Sequence, residues 1–190
     1  MPLDGGRILL SDVSEIRFSF PERKGKDDSD VTLFASATSF RENNIVSDLK
    51  KEADLVPDER CSPHAGDIII RRVQPTFVNY IDADAPYYLG QNLIIIRPRP
   101  ELIFGKYLAF VIENKIERLH GDTAGSLIPS LKRKDLECFD VGDPPPLRKK
   151  NAIGELWWLN KEKAKLQAQL TDTQTKYIKS MLSKMVEERK

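Results

Sequence analysis

Two kinds of hydrophobic pattern meet at Pro144, Pro145 and Pro146. Upstream, apolar residues come in short runs and alternations. Ile16, Phe18 and Phe20 alternate with polar neighbours, the period of a half-buried strand, and 8–20 reads as a short helix or turn feeding that strand, with Ser11 as N-cap. Residues 21–30 form a charged loop, and 31–40 is a β-prone run. Three β-branched residues after Gly66 and Asp67 predict a buried strand in 66–73, and 91–98 predicts a second, closed by Pro98. Between them the alternation predicts a further strand plus a loop. A short helix is expected in 46–55. Apolar residues at 107, 108, 111, 112, 116 and 119 give helical spacing over 105–120. A Gly-rich loop from Gly121, a turn at 132–134 and a strand at 137–141 complete residues 1–146. Mixed strands with one or two helices make this an α+β domain built on a mixed β-sheet.

After the prolines the period changes. Residues 151–190 contain one glycine, Gly154, and no proline, and good helix formers dominate. Apolar residues recur at Ile153, Leu156, Leu159, Leu166, Leu170, Tyr177, Met181 and Met185, with Lys163 and Thr173 at the intervening steps. The pattern predicts one long C-terminal helix over 147–190 with a coiled-coil-like stripe. At 1.5 Å per residue such a helix reaches roughly 60 Å. A domain of this size has a radius of gyration of only about 15 Å, so the stripe needs a partner. Ile153, Leu156, Trp157, Leu159, Leu166, Leu170, Tyr177 and Met181 are the candidate interface residues. The pattern alone allows parallel or antiparallel pairing.

Composition narrows the classes. With 40% hydrophobic and 31% charged residues the chain is globular rather than disordered. Its apolar runs are too short to cross a bilayer, and its first residues have no signal-peptide pattern. Two cysteines make no disulfide framework, and a cytoplasmic location is expected. The net charge of +1 hides an uneven distribution: 1–60 is acidic in balance and the remainder basic. No Gly-rich phosphate loop, nucleophile elbow or zinc-protease motif is present, so no catalytic residue is expected. Cys61, His64, His120 and Cys138 contain one close pair only, so no metal site is expected. Asp82 and Asp84 read as solvated loop carboxylates.

What remains is a set of basic clusters at strand ends and turns: Arg71–Arg72, Arg97–Arg99, Lys132–Lys134 and Arg148–Lys150. Planar amides and aromatics stand near them in sequence. Arginine and lysine can reach phosphates or guanine edges, and asparagine and glutamine can pair with adenine. The candidate DNA-binding residues are Arg71, Arg72, Gln74, Asn79, Tyr87, Asn92, Lys132, Arg133 and Lys134. A scaffold protein with a coiled-coil dimerisation tail and no DNA role is the alternative.

The ordered segments "LSDVSEI", "GDIIIRR", "QNLIIIRP", "YLAFVIEN" and "GSLIPSLKRKDLECFDVGDPPPL", followed by a long helix, resemble the repeating unit of type I restriction–modification specificity subunits. That unit is a target-recognition domain followed by a spacer helix. The resemblance spans nearly the whole chain and rests on order and spacing. It implies a non-catalytic subunit that reads one half of a split double-stranded DNA target. Methyltransfer with S-adenosylmethionine and cleavage would belong to methyltransferase and motor or nuclease partner subunits, and this chain would hold no cofactor. A full-length subunit carries two such units, so one unit implies a half-size subunit, natural or a piece. Two spacer helices in that family run in opposite senses, which implies an antiparallel homodimer.

Overall fold

The computed structural model describes residues 7–22, 32–52, 55–56, 58–116 and 130–187. The expected charged loop (from 23 on), the Gly-rich loop and residues 117–120 of the expected helix lie outside the described residues.

A short helix α1 (Leu10–Val13) leads directly into β1 (Ser14–Phe18). The helix starts two residues earlier than a Ser11 cap requires, with Leu9 at the cap position. Asp12 Oδ2 accepts from Leu9 N at 2.9 Å, and the Ser11 hydroxyl instead donates to Glu137 O at 3.0 Å. The strands β2 (Thr32–Ala35), β3 (Phe40–Arg41), β4 (Ile45–Val46) and β5 (Lys50–Glu52) follow. The helix expected in 46–55 is therefore replaced by strand and turn, with 53–54 outside the described residues. Asn43, Asn44 and Asp48 have φ of 59°, 54° and 56°. Short polar side chains tolerate this left-handed backbone, which cannot continue a right-handed helix.

Next come β6 (Ile68–Arg71), β7 (Val78–Tyr80), β8 (Tyr88–Leu89), β9 (Leu93–Pro98) and helix α2 (Gly105–Asn114). The central sheet has the antiparallel order β1-β9-β6-β7, with Ile68 opposite Ile96 and Ile69 opposite Ile95. A second sheet, β5-β2-β8, contains the parallel pair β2–β8, so the sheets are mixed. Side chains alternate across a strand, and both faces of β6 and β9 are covered. Ile68, Ile70, Ile94 and Ile96 pack with Leu108, Ile112 and Leu136 on the helical side. Ile69, Leu93 and Ile95 pack with Ala35, Phe40, Phe77 and Leu89 on the other. Double coverage explains why these strands read as unbroken apolar runs.

The turn expected at 132–134 opens a short helix, α3 (Arg133–Glu137), and the strand expected at 137–141 is reduced to the end of that helix, a turn and a single bridge from Asp140 to Leu9. Asp135 Oδ2 accepts from Lys132 N at 2.9 Å and closes the first turn of that helix, which a strand would forbid. Helix α4 (Leu147–Glu187) then runs unbroken for 41 residues. Its base lies on α2. A Cβ at Gly154 would stand 2.7 Å from Tyr107 N and 2.8 Å from a Phe104 ring carbon, so only glycine permits this approach. Among the described residues no helix is long and apolar enough to cross a membrane.

Candidate nucleic-acid interface

The end of β6 is pinned from both sides. Arg72 N donates to Asn92 O at 2.8 Å, and Leu131 N donates to Arg72 O at 2.8 Å. Val73 bridges Ser130, immediately before α3. These main-chain bonds bring Arg72, Gln74, Asn92, Lys132, Arg133 and Lys134 to one edge from three separate parts of the chain. Gln74, Asn92 and the three cations are exposed, and Arg72 is half-buried. Gln74 and Asn92 have φ of 49° and 65°, so the chain turns sharply at each position. The same edge holds Phe18 and Phe20, from the end of β1. Their rings stack at 6.4 Å with 8° between planes, and Phe20 is 54% exposed. The Arg72 guanidinium carbon lies 5.9 Å from each ring centroid, and that of Arg133 lies 5.1 Å from Phe18. The aromatic pair was not among the expected site residues. The signal available was its i, i+2 spacing, which puts both rings on one face of the strand.

Three expected contacts sit elsewhere. Arg71 points to the opposite face of β6 from Arg72: its guanidinium donates to Phe40 O and lies 4.8 Å from the Phe77 centroid. Asn79 is 2% exposed, and its amide donates to Arg41 O at 2.8 Å, fixing the β3–β4 hairpin on the central sheet. Tyr87 is 8% exposed, packed edge-on against Phe40. Burial, with a smaller contribution from Asp82, pushes its phenol up to about 12. Asn79 and Tyr87 thus build the domain rather than face a ligand, because each lies under the β3–β4 segment.

The remaining polar candidates are likewise committed. Arg97 makes a two-point pair with buried Asp67, Nε to Oδ1 and Nη2 to Oδ2 both at 2.8 Å, and the hydrogen bond holds the guanidinium above its ordinary pKa. Arg99 donates to Asp12 O. Asp84 accepts from Ala65 N at 2.9 Å. His64 bonds Glu59 at 2.8 Å, Cys61 is buried, Cys138 is exposed, and His120 lies outside the described residues.

Helix α4 has two apolar faces. Ile153 and Trp157 pack against the domain core, and Trp157 Nε1 donates to Glu113 Oε2 at 2.7 Å. Lys161 pairs with the other oxygen of Glu113, and Trp158 meets Tyr80 edge-on at 5.3 Å. Ile153 and Trp157 are thus half-buried against the chain's own domain. Leu156, Leu159, Leu166, Leu170, Tyr177 and Met181 are 46–68% exposed and form a stripe turned to one side of the packed face, at 3.6 residues per turn. Sequence periodicity marks apolar positions without saying which of two surfaces each one serves.

No family model matches the chain, and no curated protein matches it. Solved structures do. A type I restriction–modification S subunit from M. genitalium aligns with TM-score 0.57 at 12% identity, over 93% of this chain and 45% of that one. A chain from a structure of type I R-M complex assembly and conformational transition aligns at 0.55 and 15%, over 92% and 45%. The HsdS subunit of Thermoanaerobacter tengcongensis aligns at 0.55 and 15%, over 88% and 45%. The chain thus spans less than half the length of the structures it matches. It has the α+β fold, with a long closing helix, of about one half of a type I restriction–modification S subunit.

Proposed function

We propose that the chain is a sequence-specific DNA-recognition subunit, reading one half-site of a bipartite double-stranded target. The observation that carries this reading is the edge where Arg72, Gln74, Asn92 and Lys132–Lys134 converge, on a domain with the S-subunit fold. Exposed cations at the start of α3 suit phosphates, and the side chains beside them suit base edges. Residues 1–146 act as the recognition domain and 147–190 as the spacer. The exposed face of α4 takes a second copy, antiparallel, so that two identical domains read inverted half-sites. In this reading the chain works in the cytoplasm, performs no catalysis and holds no cofactor. Methyltransferase subunits, which carry S-adenosylmethionine, and motor or nuclease subunits dock on it.

The test is a titration of the purified chain with duplex DNA at two salt concentrations. Each neutralised phosphate contributes about −0.9 to the slope of log K against log salt. Contacts by Lys132, Arg133 and Lys134 in both copies predict a steep slope, reduced when the three are changed to alanine. Absence of binding at low salt overturns the DNA reading in favour of a scaffold.

A further inference from the structure

Arg72 carries a charge with no anionic partner among the described residues. Arg97 has Asp67, Arg17 has Glu15, Arg41 has Asp48 and Arg60 has Asp58. The Arg72 guanidinium has only the rings of Phe18 and Phe20, each 5.9 Å away, and its Nε is buried without a hydrogen-bond partner. The Arg71 Nε is also unpartnered, but its terminal nitrogen is already spent on Phe40 O. A half-buried charge is costly unless something completes its hydrogen bonds. Here the backbone is pinned on both sides of the residue and the side chain rests on a stacked aromatic pair. The fork is fixed before any ligand arrives, so little side-chain entropy is lost on binding.

We propose that Arg72 is the base-reading residue of this edge, that it takes the O6 and N7 acceptors of a guanine in the major groove, and that Phe18 and Phe20 are the positioning residues that hold it there. The inference rests on the DNA reading above and sharpens it. Lys132 and Lys134, exposed at the start of α3, lack that restraint, which fits sequence-independent phosphate contact; Arg133 also lies on Phe18 but already donates to Ile16 O and pairs with Glu137. Guanine is the base whose major-groove edge presents two adjacent acceptors to a planar fork, whereas a phosphate would accept from lysine as readily.

The experiment uses the full chain and random duplexes to find the preferred target, then measures affinity for that target and for versions with each guanine changed. R72K keeps the charge and loses the fork. It is expected to retain the salt slope and to lose at least tenfold in preference at one guanine. Replacing that guanine with 7-deazaguanine, which lacks the N7 acceptor, is expected to weaken the unmodified chain and leave R72K unaffected. The wild-type half of this comparison requires no variant, so misfolding of R72K cannot obscure it. F20L is expected to erode the same preference several-fold with the salt slope unchanged, and F20W to restore it. K134A is expected to weaken all sequences alike. Retention of guanine preference by R72K, or equal loss across all sequences, overturns the assignment and makes Arg72 a phosphate contact. A wild-type chain that selects no sequence at all overturns the DNA reading itself, a result distinct from either.

Discussion

The two ends of helix α4 are the same secondary structure under opposite conditions. From Leu147 to Lys165 it has a side against α2 and the sheet. Ile153 and Trp157 are half-buried, Gly154 is buried, and the Glu113 carboxylate ties Trp157 and Lys161 to the domain. From Leu166 onward every described residue is exposed, including Leu166, Leu170, Tyr177, Ile178, Met181, Leu182 and Met185. The proximal end owes its place to tertiary packing. The distal end has only helix propensity, which for a segment of its length is marginal in water. A continuous apolar stripe of that kind marks an interaction surface. The comparison separates two environments in one helix: the proximal half is held by the domain before it, and the distal half presents an apolar stripe that, in the proposed reading, takes a second copy.

Breaking the distal half should give the largest effect. Leu166 and Leu170 changed together to Asp remove two leucines from each copy, each worth ~1.5–3 kcal/mol when buried. Sedimentation of this variant is expected to show a monomer in which the domain's melting is unchanged, while the unmodified chain sediments as a dimer. Breaking the proximal half should act the other way. G154V forces a side chain into backbone and ring atoms less than 3 Å away. Overpacking of this sort costs about 1–3 kcal/mol, so thermal unfolding is expected several degrees lower, with the helix still able to self-associate.

A milder change sharpens the same contrast. W157F keeps the ring and deletes the hydrogen bond to Glu113. Bonds to a charged group contribute ~1.5–3 kcal/mol, reduced here by partial exposure. A loss of about 1 kcal/mol in denaturant unfolding is expected, with no change in the monomer–dimer equilibrium. The smallest effect concerns the domain that precedes the helix. The Tyr87 phenol stands at about 12 in the folded chain, against an ordinary value near 10. Burial favours its neutral form, so its contribution to stability is complete below pH ~10 and is lost as pH rises through about 12. Y87F is expected to flatten that alkaline decline, read by unfolding midpoints between pH 9 and 12.

Much of this organisation was legible because it depends on local pattern. The buried β6 and β9 strands, α2 and α4 follow from β-branched runs and from the 3.6-residue period, and the break at the prolines separates sheet from helix. The 46–55 and 132–141 segments were misread because their form depends on a left-handed Asp48 and on an Asp135 cap rather than on period. The site was legible only in part. Arg71 and Arg72 look alike in sequence, yet successive strand residues face opposite sides, and one is consumed by Phe40 and Phe77. The Arg97 cluster was neutralised by a carboxylate thirty positions away, Asp67. Ile153 and Trp157 pack on the chain's own domain, which the period of the helix does not reveal. In each case the deciding partner is distant along the chain.

The most direct test of the central claim is to sequence the duplexes that the purified chain retains from a random pool. Two copies joined through helices each about 60 Å long and related by a two-fold axis are predicted to enrich one inverted repeat, its halves separated by a fixed gap placing them roughly one to two DNA turns apart, at ~34–36 Å per turn. A pool with no enriched motif, or with a single uninterrupted motif lacking two-fold symmetry, would contradict the account.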